Sequence, residues 1–149
     1  MRLDSLLIGI ASSLLLITTK WLYNQPGMNS ARVTIYHGWR DEEGNHVLAN
    51  HSTLRHVIYH GPSGFEWGYG GSGPADLALS ILAHYFKEKY LTAAYLKKFH
   101  SRPSQAWQYH QRFKWDFVAT WKDSWEISTD EITTWLKKQN QPTLTVMAA

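Results

Sequence analysis

The sequence predicts an α+β domain, a small antiparallel sheet of about four short strands followed by three helices packed on it. Three observations lead there. Short segments rich in β-branched and aromatic residues, separated by turn residues, fill the stretch from Arg32 to Tyr69. Apolar residues at spacings of three and four take over from Pro74 onward. Strands come first and helices follow, without the alternation that a parallel sheet requires.

Each element has its own signal. Arg32-Val33-Thr34-Ile35-Tyr36-His37 alternates with period two and reads as a first strand. Asp41-Glu42-Glu43-Gly44-Asn45 is a turn, and His46-Val47-Leu48 returns as its partner. Leu54 to Tyr59, containing Val57-Ile58-Tyr59, predicts a third strand. Gly61-Pro62-Ser63-Gly64 is a second turn. Phe65-Glu66-Trp67-Gly68-Tyr69 predicts a fourth strand whose three aromatic residues share one face.

Pro74 suits the first position of a helix, with Ser72 or Gly73 as its cap and Asp76 near its positive pole. Leu77, Ala78, Ile81, Leu82 and Tyr85 form one stripe, so this helix is expected at the centre of the core. It either runs on or breaks before Tyr90 to Lys98, and Arg102-Pro103 ends that stretch. A second helix is predicted from Ser104 to Trp121, with Phe113, Phe117 and Trp121 at spacing four. Trp125-Glu126-Ile127 is a short extended piece. Ser128 and Glu131 then make a capping box for a third helix ending near Gln139, and Pro142 opposes continuation.

This organisation divides the chain into a hydrophobic leader (1–27), a single α+β domain (31–139) and a flexible tail (140–149). In the leader, Leu6 to Ile17 is apolar except for Ser12 and Ser13, and Trp21 and Tyr23 follow it. Such a run is shorter than the roughly 20 residues of a membrane span and suits a signal-peptide core. No small-residue cleavage site follows it, however. The leader therefore reads as an anchor, a signal or a misassigned start, with Met28 as the alternative first residue. The expected location is cytoplasmic for the domain, with membrane contact only through residues 6–23 if the leader is real.

Composition narrows the function classes. The chain has 149 residues, 44% of them hydrophobic and 18% charged, which suits a globular protein. It has no cysteine, which excludes a disulfide scaffold, a thiol nucleophile and a cysteine zinc site. The net charge of +3 is carried by scattered basic residues rather than by one patch.

Gly68-Tyr69-Gly70-Gly71-Ser72-Gly73-Pro74 is the most unusual segment. Glycine is retained in such density where backbone bends sharply or approaches something closely. The run opens directly into a helix N-terminus, whose free amides suit phosphate or carboxylate. It matches GxGxxG, but the surrounding pattern is not that of a dinucleotide fold, and no Gly-Lys-Ser/Thr follows to make a P-loop. Glu66, Trp67, Tyr69, Gly70, Gly71, Ser72 and Gly73 are the candidate ligand-binding residues. The competing explanation is tight strand-to-helix packing alone. Arg112 and Lys114, beside Phe113 and Trp115, are a weaker candidate pair for nucleic acid. Eight histidines invite a metal reading, but His56 and His60 in one strand would stand about 13 Å apart, so no metal site and no cofactor are expected.

Phe65-Glu66-Trp67-Gly68-Tyr69-Gly70-Gly71-Ser72-Gly73-Pro74-Ala75-Asp76-Leu77-Ala78-Leu79 resembles the signature of the bacterial and phage family called domain of unknown function 6166. Arg112 to Ala119 and Trp125 to Ser128 resemble its later blocks. The resemblance covers roughly residues 33 to 138. The chain departs from it by extra residues around Tyr90 to Ser104 and by its leader. The resemblance implies an intracellular, bacterial or mobile-element setting and assigns no residue a role. The expectation is a binding or accessory domain whose glycine-rich loop meets a protein or an anionic small molecule. An enzyme acting on a phosphorylated or nucleotide substrate, with Glu66 as acid or base, and a nucleic-acid-binding protein are the alternatives. Whether the chain is an enzyme stays open, because no catalytic constellation is legible.

Overall fold

The computed structural model describes residues 33–98 and 104–140. The leader and all of the tail except Asn140 lie outside them. Strands β1 (Ile35–Asp41), β2 (Gly44–Ala49) and β3 (Ser52–Thr53) come first. Helices α1 (Ser72–Tyr85), α2 (Ala93–Lys98) and α3 (Gln105–Asp116) follow. A 3-10 turn (Val118–Thr120), strand β4 (Trp125–Ser128) and helix α4 (Thr129–Gln139) complete the domain. The architecture is α+β, as predicted, with β3-β2-β1-β4 as the order of an all-antiparallel sheet.

Two of the expected strands are not strands. In Leu54–Tyr59, the Leu54 amide still donates to the Val47 carbonyl of β2 at 3.0 Å, but the segment then leaves the sheet, because later backbone donors find side chains of α1 instead of a neighbouring strand. The Val57 amide donates to Ser80 Oγ at 2.9 Å, and the Tyr59 amide donates to the Asp76 carboxylate. Phe65–Tyr69 is likewise irregular. Gly68 takes φ +87°, which breaks the alternation, so Trp67 is buried while Tyr69 is exposed. The hairpin holds this segment by side chains. Asn45 Nδ2 donates to the Phe65 carbonyl, and Arg40 Nη2 donates to that of Trp67 at 2.8 Å. The fourth strand is instead the Trp125–Ser128 piece, which pairs with β1 from Ile35↔Ser128 to Gly38↔Trp125.

The sheet buries one face. Tyr36, Val47, Ala49, Trp125 and Ile127 point inward, while His37, Trp39 and His46 stack on the opposite face. Trp125 lies flat across Gly38, where any side chain would overlap its ring. Trp67 meets it edge-on and Trp121 stacks on it at 3.9 Å.

Helix α1 is central, as expected, but it is buried around its whole circumference from Gly73 to Ala83 rather than along one stripe. Its buried polar residues, Asp76 and Ser80, accordingly have partners inside the protein. Tyr36 Oη on β1 meets His84 Nδ1 at 2.9 Å and ties α1 to the sheet. Burial, with Tyr85 nearby, raises the Tyr36 hydroxyl well above the usual tyrosine range.

Helix α3 packs across α1. Its N-terminus is capped twice. Ser104 Oγ accepts from the Trp107 amide at 3.0 Å, and the buried Glu88 carboxylate accepts from the Gln105 amide at 2.8 Å and from Ser104 Oγ. The helix stops at Phe117, short of the predicted Trp121, where the chain tightens into the 3-10 turn. Helix α4 begins with the predicted capping box. Ser128 Oγ accepts from the Glu131 amide, and Glu131 accepts from the Ser128 amide at 2.8 Å.

Candidate functional site at the first turn of α1

The glycine-rich segment runs into α1 with Gly71 as the extended residue before the helix and Ser72 as its first helical residue. The cap is therefore Gly71, not Ser72 or Gly73, and no side chain caps the helix start. Gly70, Ser72 and Tyr69 are exposed, whereas Gly73 is buried against Glu66, whose Cβ would lie 2.7 Å from a side chain there. Side chains on Gly70 and Gly71 would overlap the rings of Trp115 and Tyr69 respectively. Two aromatic rings thus lie directly against these glycines. Both rings are themselves exposed, Tyr69 at 51% and Trp115 at 59%.

Trp115 links the loop to α3. The preceding Lys114 is 7% exposed, and its ammonium sits 4.5 Å from the centre of the Trp115 ring. No carboxylate among the described residues forms an ion pair with it. Burial pushes its pKa down. The Arg112–Lys114 pair does not form one surface. Arg112 is exposed while Lys114 turns inward, as positions two apart on a helix must.

Glu66 faces the other way. Its carboxylate lies 3.6 Å from Arg40, whose guanidinium covers Trp67 at 4.2 Å. Trp67 is a buried core residue with its Nε1 donating to the Lys122 carbonyl. Of the seven loop candidates, Tyr69, Gly70, Gly71 and Ser72 thus share the open side, while Glu66, Trp67 and Gly73 support it from within.

The sequence reading missed the residues behind this loop. Asp76, fully buried one turn into α1, accepts from the amides of Tyr59, His60 and Gly61 and from His60 Nδ1 at 2.7 Å. His56 Nε2 stands 3.8 Å away, close enough for charge to act but too long for a hydrogen bond. His56 and His60 therefore converge on one carboxylate, because their segment is not the extended strand that would have separated them. Burial works against ionisation of Asp76, but the His56 ring, the His60 amide and ring and the Gly61 amide outweigh it and hold the carboxyl at about 2. A carboxylate inside an otherwise apolar run was the available signal.

The ring tautomers follow from the partners. Asp76 is ionised and only accepts, so His60 Nδ1 carries a proton and, in the neutral ring, Nε2 is the lone pair. His110 Nδ1 faces the Trp107 carbonyl at 2.7 Å, so it too is the donor and its Nε2 is bare. Gln111 Nε2 lies 3.3 Å from His60 Nε2 and 3.0 Å from His110 Nε2, one hydrogen for each. Burial depresses His110 to about 4 despite the Trp107 carbonyl. Ser72 Oγ lies near Gly61 but makes no hydrogen bond with His60, so serine and histidine are not assembled as nucleophile and base.

The sequence model of a family of unknown function, DUF6166, matches residues 36–103 and 88–138. The chain belongs to the DUF6166 family. The match spans the sheet, the glycine-rich loop, Asp76 and all of α3, so the arrangement described above lies within the DUF6166 domain. No curated protein and no solved structure matches the chain.

Proposed function

We propose that this domain binds a phosphate-bearing ligand at the first turn of α1. The observation that carries the reading is Lys114, a largely buried cation with no carboxylate partner among the described residues, held over the ring that lies against Gly70. The Lys114 stem is buried while the ammonium keeps access to solvent, which leaves the charge able to meet an anion at the loop that Trp115 lies against. The helix start adds the partial positive charge and free amides that suit phosphate, and no side chain occupies the cap. Tyr69 and Trp115 offer exposed faces on which a planar group of the ligand stacks, which favours a nucleotide over a simple sugar phosphate.

Titration calorimetry with inorganic phosphate, mononucleotides and a short single-stranded oligonucleotide tests this. Nucleotide binding weakened at least about tenfold by Lys114→Met and left intact by Arg112→Ala supports it. Absence of binding by any of these anions, or binding unchanged in Lys114→Met, overturns it. Binding of the oligonucleotide alone, lost in Arg112→Ala, transfers the reading to a nucleic-acid surface elsewhere on α3.

A further inference from the structure

The His60–Gln111–His110 cluster stands apart from the anion reading and does not depend on it. Each imidazole donates its Nδ1 proton to a fixed acceptor, the Asp76 carboxylate in one case and the Trp107 carbonyl in the other, both at 2.7 Å. Carboxylates and backbone carbonyls in this position are the usual supports of metal-ligating histidines, because they fix the ring and leave Nε2 as a donor. The two Nε2 lone pairs then converge on a single side-chain amide. The ring of Trp107 stacks on both imidazoles and walls the cluster on one side.

We propose that His60 Nε2, His110 Nε2 and the side-chain carbonyl of Gln111 form a binding site for a zinc-type divalent cation, with water in the fourth position. Turning the Gln111 amide over exchanges its NH2 for Oε1 at nearly the same place. That oxygen would then stand about 3.3 Å from His60 Nε2 and about 3.0 Å from His110 Nε2, the separations that the NH2 group holds now. A tetrahedral zinc site with bonds of about 2.0–2.1 Å has ligand-to-ligand edges of about 3.3–3.4 Å. Two of the three donor-to-donor edges are thus already close to this length, and the His60 and His110 rings lie side by side with centroids 5.2 Å apart. Lys114, one turn beyond His110, adds unfavourable positive charge, and Asp76 behind His60 offsets part of it. Among the described residues no three His, Cys, Asp or Glu side chains gather as a metal cluster, so the amide oxygen is what completes the set.

The test is calorimetry of the full chain with zinc chloride, together with the visible spectrum of the cobalt-loaded protein. The expected result is one equivalent of zinc, an intense tetrahedral cobalt spectrum, and a loss of at least about tenfold in affinity for Gln111→Ala, an exposed position whose truncation leaves the core untouched. His110→Ala removes binding, while His46→Ala, which alters the half-buried histidine beside Asp41, leaves it unchanged. Nitrogen-15 spectra of the imidazoles, which need no variant, should show zinc shifting Nε2 of His60 and His110 while Nδ1 stays protonated. No zinc uptake, uptake indifferent to Gln111→Ala and His110→Ala, or nitrogen shifts at His46 in place of His60 and His110 would each overturn the proposal.

Discussion

The Asp76 carboxylate holds His60 twice, through its backbone amide at 2.9 Å and its ring Nδ1 at 2.7 Å. The same carboxylate takes the amides on either side, so one side chain of α1 replaces the strand that Tyr59–Gly61 lacks. Asp76→Ala should leave three amides and an imidazole short of an acceptor. A loss of about 3–5 kcal/mol in urea-unfolding free energy is expected. A loss below about 1 kcal/mol would mean that water replaces the carboxylate freely.

Acid should unfold the domain in two stages. His110 titrates at about 4 in the folded protein against about 6.5 unfolded, so the unfolded chain takes up a proton that the folded one refuses. Stability therefore falls as pH drops from about 6.5 to 4, by about 3 kcal/mol. His84, also lowered by burial, adds to the same slope. Asp76 acts lower. Its folded pKa of about 2 is depressed, so its contribution is full above about 4 and is lost towards pH 2, about another 2 kcal/mol. Urea unfolding at pH 7.5, 5, 4 and 2 measures both stages, and His110→Gln should flatten only the first.

Gly38 and Gly70 should respond differently to alanine, although each faces a tryptophan ring that a Cβ would overlap. Trp125 is buried between Trp67 and Trp121 and has nowhere to go. Gly38→Ala should cost about 1–3 kcal/mol. Trp115 is largely exposed and can swing aside, so Gly70→Ala should stay within about 1 kcal/mol while disturbing the face proposed for ligand. Thermal melts of the two variants compare them directly, and equal losses would contradict the distinction.

Glu88→Ala should loosen α3 from its N-terminus. The variant removes the acceptor for Ser104 Oγ and for the Gln105 and Ala106 amides. A loss of about 2–3 kcal/mol is expected. Because α3 carries His110, Gln111 and Lys114, amide exchange should also quicken along that helix more than along α4.

The helices were readable because their signals are local. The Ser128–Glu131 box and the spacing of Leu77, Ile81 and Leu82 involve neighbours within one or two turns. The strands were half readable. β1 and β2 alternate and are joined by a turn at Gly44, where φ is +124°. Leu54–Tyr59 and Phe65–Tyr69 carry the same composition, yet their amides and carbonyls meet Asp76, Ser80, Asn45 and Arg40, partners that no periodicity announces. The glycine-rich segment stands out in the sequence, but nothing local separates the exposed Tyr69, Gly70 and Ser72 from the buried Trp67 and Gly73. Lys114 was noticed for its neighbour Arg112, whereas its actual companion is Trp115 against Gly70. The cluster at Gln111 joins His60 to His110 across the chain, and only folding brings them together.

The order β3-β2-β1-β4 has a consequence for synthesis. β1 pairs with β2 as soon as that next strand has emerged, yet its other flank waits for residues 125–128, which follow three helices. On the ribosome the Ile35–Gly38 edge must therefore stay unzipped until nearly the whole domain has been translated. During that interval the nascent hairpin is open to pairing with other chains, and a truncation just before Trp125 would make this exposure permanent.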